Sequence, residues 1–232
     1  MPLLELVTSS GLGSLLGMRH ALEPDHLAAV STLVTGERNS FKAAFLGVCW
    51  GLGHTFSLIV VGTILVMLRA EMPLRVADGF EFCVALMLIG LGLRAIYIAA
   101  RQGPSGPAHV HHHGHTVHVH HGAPAHIHIG TWTLARRPLL VGAVHGLAGS
   151  GALTALVLTT LPSTAARLTY MVLFGLGSTV GMAALSGLLG WPLARAGQNR
   201  GFSRVLSLTV GCASTVLGVI WGYPLAGKLL GF

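Results

Sequence analysis

Between residues 19 and 26 the chain reads Arg-His-Ala-Leu-Glu-Pro-Asp-His, inside a stretch that is otherwise apolar from about 3 to 34. Ionisable side chains at membrane depth cost roughly 2.5 kcal/mol or more each on insertion scales, so something must offset them. A divalent transition metal would, because it neutralises carboxylates and takes the lone pairs of neutral imidazoles. On a straight helix His20, Glu23 and His26 share an arc of about 120° but spread along about 9 Å, and Asp25 points elsewhere. Pro24 changes that geometry. It lacks an N–H and its ring clashes with the carbonyl four residues earlier, so the helix is expected to kink or unwind near it, leaving the His20 carbonyl without its helical partner. Such a break would draw His20, Asp25 and His26 together. The bland alternative is a packing kink whose polar groups satisfy one another.

Three further sets of residues belong to the same chemistry. Gly51-Leu-Gly-His54-Thr55 puts an imidazole among small residues that let helices approach closely, so His54 is expected to reach the first cluster. His145, in His145-Gly-Leu-Ala-Gly-Ser150, lies either on the same metal pathway or bonded to a backbone carbonyl; Glu23, Thr55 and Ser150 are placed beside the pathway. Ten histidines (His109, His111, His112, His113, His115, His118, His120, His121, His126 and His128) form an auxiliary, low-specificity ligand set for nickel, cobalt, copper or zinc. No catalytic residue and no prosthetic group are indicated.

The elements that must position these residues follow from composition. Of the 232 residues, 9% are charged and 52% hydrophobic, with a mean hydropathy of +0.71 and 32 glycines. A soluble domain carries roughly 25% charged residues, so most of this chain faces lipid or other helices. Six apolar stretches, at about 3–34, 41–68, 77–100, 138–161, 166–191 and 204–230, are each long enough to cross roughly 30 Å of hydrocarbon. The net charge of +7 reads as loop bias rather than a nucleic-acid surface, since no soluble basic domain exists to carry one. Cys49, Cys83 and Cys212 are isolated and form no CxxC pair, and MPLLELV has neither a basic flank nor a cleavage site, so no removable signal peptide is expected.

The sequence therefore divides into a first three-helix unit (1–100), a Gly-, Pro- and His-rich loop (101–137) expected to be disordered, and a second three-helix unit (138–232). Loops on one side carry Arg38, Lys42, Arg101, Arg136, Arg137, Arg195, Arg200 and Arg204, and the other side carries Arg69, Arg75, Arg167 and Lys228. That bias puts both termini outside a cell membrane and the His-rich loop in the cytoplasm. The two units match each other. Gly17-Met-Arg-His20-Ala-Leu22 aligns with Gly142-Ala-Val-His145-Gly-Leu147, and Gly51-Leu-Gly-His54-Thr55 aligns with Gly175-Leu-Gly-Ser178-Thr179. Units of three spans must enter the bilayer in opposite senses, which predicts an all-α membrane protein of two inverted repeats with a site near their interface. Asp25, His26 and His54 of the first copy correspond to Ser150, Gly151 and Ser178 of the second.

At His20-Ala-Leu-Glu-Pro-Asp25-His26-Leu the sequence resembles the nickel/cobalt transporter superfamily, whose early transmembrane signature is His-Ala-x-Asp-Ala-Asp-His-Ile. Leu52-Gly-His54-Thr-Phe-Ser is similar to its second signature, Leu-Gly-His-Ser, and His145-Gly-Leu-Ala-Gly-Ser150 looks like the small six-span branch of the UreH type. Glu23 and Pro24 depart from the family's Asp and Ala. The resemblance implies that His20, Asp25, His26 and His54 recognise Ni2+ or Co2+ as transported substrate, without ATP, since no nucleotide-binding motif appears. Import to supply a nickel enzyme such as urease is the first expectation and efflux for metal resistance the second. A metal store or sensor that uses the loop alone and an intramembrane metalloenzyme are the remaining alternatives. The partners implied are the metal ion, the lipid bilayer and a cytoplasmic metallochaperone, with no nucleic acid; the oligomeric state stays open.

Overall fold

The computed structural model describes residues 2–35, 37, 39–101, 109–113, 116–120, 126–129, 132–161, 163–196 and 200–231. Seven helices appear among them: α1 (Pro2–His20), α2 (Pro24–Val34), α3 (Ser40–Leu68), α4 (Leu74–Arg101), α5 (Arg136–Thr160), α6 (Thr164–Ala196) and α7 (Arg200–Leu230). Four of these contain segments long and apolar enough to cross a membrane, namely Ser40–Leu68, Leu74–Arg101, Thr164–Pro192 and Gly201–Leu230. Outward-facing residues agree with a lipid environment. On α3, Leu52, Phe56, Val60 and Ile64 recur every fourth residue and are all exposed, where a soluble protein would carry polar groups.

The first apolar stretch is two helices. Glu23 is extended (φ −65°, ψ 149°), as the residue before a proline prefers, and Pro24 opens α2, where its missing N–H costs nothing. The expected orphan at the His20 carbonyl is not found: it accepts from Glu23 N at 3.0 Å, a tighter turn replacing the helical bond that Pro24 cannot make. At the start of α3 the Asn39 carboxamide accepts from Phe41 N and Lys42 N at 2.8 and 3.3 Å, and α3 stops at Arg69, which is left-handed at φ 50°.

Between α4 and α5, strands β1 (His109–His113) and β2 (Thr116–His120) pair antiparallel, as do β3 (His126–Ile129) and β4 (Trp132–Ala135). Composition alone predicts a disordered loop there, whereas the described residues of the segment form paired strands. Alternation of His with β-branched Val and Ile has period two, which suits strands.

Helix crossings are set by glycine. A Cβ on Gly17 of α1 would lie 2.1 Å from the Phe174 carbonyl of α6, and one on Gly142 of α5 would lie 1.9 Å from the Trp50 carbonyl of α3. Both distances are impossible for a real side chain, so only glycine allows these backbones to touch. In the aligned units Gly17 corresponds to Gly142, and Phe174 to Trp50. The contacts of Gly51 with Thr179 and of Gly175 with Thr55 exchange under the same correspondence. On that seam the Thr55 and Thr179 hydroxyls lie 2.9 Å apart, and both come within hydrogen-bonding distance of the Gly175 carbonyl.

Candidate metal centre

The break before Pro24 turns the end of α1 and the first turn of α2 into one wall of a buried site. His20 is the last residue of α1, while Asp25 and His26 follow directly on Pro24. His54 enters from the middle of α3 and His145 from α5, brought close because Gly146 lets α5 pass against the His54 carbonyl, where a Cβ would come within 2.2 Å. Asp25, His26, His54 and His145 are buried, at 7, 1, 0 and 2% exposure.

The ring centroids of His20 and His26 are 4.5 Å apart, those of His20 and His54 5.2 Å, and those of His26 and His54 5.4 Å. His26 also stacks on His145 at 4.6 Å. Two carboxylates orient the rings. His26 Nδ1 donates to Asp25 Oδ1 at 3.0 Å, and His20 Nδ1 faces Glu23 Oε1 at 3.0 Å. A proton on each Nδ1 leaves the lone pair on Nε2, the arrangement by which carboxylates prepare imidazoles to hold a metal. Asp25 Oδ2 lies 3.4 Å from His145 Nε2, near enough for electrostatic attraction but not aligned as a hydrogen bond.

Among the described residues, His20 Nε2, His26 Nε2 and both ring nitrogens of His54 and of His145 are buried without a hydrogen-bond partner. Leaving a buried polar group unsatisfied costs about 1–3 kcal/mol, so six such nitrogens in one place are a heavy burden for a structural core. A cation offsets up to four of the six, since each of the four neutral imidazoles offers it one lone pair. Ligand atoms come within 4.8 Å of one another in two groups, His20–His26–His54 and Asp25–His26–His145. Imidazole with carboxylate, and no thiolate, suits nickel, cobalt, zinc and cupric ions.

The sequence-predicted residues are divided by this geometry. His20, His26 and His54 converge as expected, whereas Asp25 groups with His26 and His145. Glu23 is half exposed and braces His20 from outside. Thr55 belongs to the seam with Thr179 rather than to the cluster. The side chain of Ser150, all of His115 and His121, and the side chains of the other eight loop histidines lie outside the described residues. Sequence reasoning missed Trp50, whose ring lies 5.4 Å from that of His26 and 5.6 Å from that of His145. Its place four residues before His54, on the same face of α3, was the available signal. Gly149 also lines the site: a Cβ there would touch His20 Nε2 at 3.7 Å and His54 Cε1 at 3.9 Å.

Residues 6–229 match the NicO family, described as high-affinity nickel-transport protein. The chain is 30% identical over 225 residues to the urease accessory protein UreH of Bacillus sp. (strain TB-90), an alignment covering 97% of this chain and 95% of that one. It is 28% identical over 188 residues to the chloroplast protein FOR GROWTH AND FERTILITY 2 of Arabidopsis thaliana, covering 80% of this chain and 48% of that protein. FOR GROWTH AND FERTILITY 1 of the same plant is 28% identical over 189 residues, covering 79% and 50%. This chain thus spans about half the length of each plant protein. No solved structure matches it.

Proposed function

The chain belongs to the NicO family of nickel-transport proteins and is a multi-pass membrane transporter rather than an enzyme, and from that premise we propose that it carries nickel, or cobalt, into the cell to supply a nickel enzyme such as urease. The observation that carries this reading is the set of six unpartnered ring nitrogens buried where α1, α2, α3 and α5 meet. His20, Asp25, His26 and His54 supply nitrogen and oxygen donors that replace the water of the cation as it passes. His145 extends the donor set from the second half of the chain.

In this reading the bilayer is crossed six times. The broken pair α1–α2 makes the first crossing, and α3, α4, α5, α6 and α7 make the others, as two inverted repeats of three. The exchangeable contacts Gly17–Phe174 and Gly142–Trp50 support that arrangement, as does the reciprocal pair Gly51–Thr179 and Gly175–Thr55. The Lys/Arg bias favours termini outside a cell membrane and the His-rich hairpins in the cytoplasm, where a metallochaperone could collect the ion.

The test is accumulation of radioactive nickel by expressing cells, with cobalt and zinc as competitors. Wild-type cells should accumulate nickel, and Asp25→Asn and His26→Asn should reduce uptake to background while the chain still reaches the membrane. Near-normal uptake in both variants would overturn the assignment of the site. Nickel loss and metal resistance in place of accumulation would reverse the direction of transport.

A further inference from the structure

The ligand-capable side chains do not form one undivided shell. His20, His26 and His54 form one group and Asp25, His26 and His145 another, and His26 belongs to both. The two groups come from different parts of the chain. The first is supplied entirely by the first unit, while the second needs α5 of the second unit. The rings of His20 and His145 lie at similar distance from that of His26, 4.5 Å and 4.6 Å. Each group also ends on imidazole nitrogens with no partner among the described residues: His54 with both of its nitrogens for the first, His145 with both of its nitrogens for the second.

A transporter must bind its ion firmly enough to strip its water and loosely enough to release it. One site made of five protein ligands would hold a nickel-like cation as a trap, whereas several weaker positions in series allow passage. Sharing a ligand makes the step between positions easier still, because the ion never loses all its protein donors at once.

Resting on the transport reading above, we infer that the cluster is a two-position relay, in which the cation moves from His20, His26 and His54 to Asp25, His26 and His145 by pivoting about His26. His145 is then a metal ligand of the second position, and Asp25 serves that position rather than the first. No bond other than the metal–ligand bonds forms or breaks, and the cation keeps its charge. Trp50, beside both His26 and His145, packs against the step and keeps it dry.

The experiment uses the purified full-length protein in detergent, with cobalt(II) as probe because its visible absorption reports coordination number and ligand type. His54→Asn disables the first position, His145→Asn the second and His26→Asn both. The relay predicts that His54→Asn and His145→Asn each still bind cobalt, with absorption spectra that differ from each other, and that the one keeping the stronger position binds within about two-fold of wild type. His26→Asn should bind none, and cells carrying any of the three should fail to accumulate nickel. His145→Asn with a wild-type spectrum and wild-type nickel accumulation would overturn the inference, as would complete loss of cobalt binding in either His54→Asn or His145→Asn, which would mean one undivided site. A wild-type chain that binds no cobalt would overturn the transport reading itself, and the relay with it. Where His145→Asn does not elute as a folded species, His145→Gln is read in its place by the same criteria.

Discussion

At the crossing of α1 with α6, Gly17 sits against the Phe174 carbonyl; at the crossing of α3 with α5, Gly142 sits against the Trp50 carbonyl. Backbone approach is nearly the same in both. Yet the position that holds His54 in α3 holds Ser178 in α6, and the two buried side chains do different things. The Ser178 hydroxyl donates to the Gly17 carbonyl at 3.1 Å and so ties its crossing together, whereas neither nitrogen of His54 has a partner among the described residues. The close packing is therefore a property of the glycines, common to both halves. The chemistry is a property of one residue per crossing, and it is concentrated in the first half. A duplicated scaffold can keep one copy for structure and give the other the ionisable groups, because the cost of burying those groups is met only where a cation passes.

The largest effect should come from breaking the shared scaffold. Gly17→Val and Gly142→Val each drive a side chain into a backbone carbonyl, and overpacking of that kind costs about 1–3 kcal/mol or more. Both variants should lose most of their accumulation in the membrane, to a similar degree, although only the α3–α5 crossing carries a metal-type residue. Gly90→Val, at a glycine with nothing within 4 Å of its Cβ, is the control and should behave as wild type. A large difference between the two crossing variants, measured by membrane yield and thermal melting in detergent, would mean that the two crossings are not structural equivalents.

The next effect separates the two roles. His54→Ser copies into α3 the residue that α6 carries, and should abolish nickel uptake while the protein still folds and melts cooperatively. Ser178→Ala should do the reverse, lowering stability by about 1 kcal/mol through the lost hydrogen bond and leaving uptake intact. Uptake assays beside melting curves decide the matter. Loss of transport in Ser178→Ala at normal stability would place transport chemistry at the α1–α6 crossing as well.

How much of this could be read from the sequence depends on the range of the cause. The break at Pro24 rests on a rule that operates within four residues, and the ends of α3 and α4 fall within three residues of the hydropathy limits. Convergence of His20, His26 and His54 could be argued from the cost of burying them, since His54 follows in the next apolar stretch. The assignment of Asp25 could not. It depends on α5 crossing α3 at Gly53, Gly142 and Gly146, which brings His145 to Asp25 across more than a hundred residues of chain. The fate of the His20 carbonyl was misjudged for a local reason: loss of the bond from residue 24 leaves the bond from Glu23 available, and the turn tightens to use it.

The connector between the halves offers the smallest effect and the finest test of the contrast. It has no counterpart inside either unit, and its described histidines lie on the strands of two short antiparallel pairs. The β1–β2 register sets His109 opposite His120 and His111 opposite His118. Cross-strand neighbours have Cβ atoms about 5 Å apart, a spacing at which paired imidazoles can share a metal ion of any of several kinds. On the reading proposed above, selectivity belongs instead where the donors are fixed by helices, beside Asp25, Glu23 and Trp50. Replacing every histidine from 109 to 128 by Ser should therefore lower the apparent affinity or capacity for nickel several-fold and leave the order of competition among nickel, cobalt and zinc unchanged. His54→Ala should change that order or stop transport, because it removes a donor from a site with few to spare. Competition assays on the two variants give the answer directly. A connector variant with a new metal preference, beside a His54→Ala variant with the old one, would move the selectivity site out of the membrane and into the hairpins.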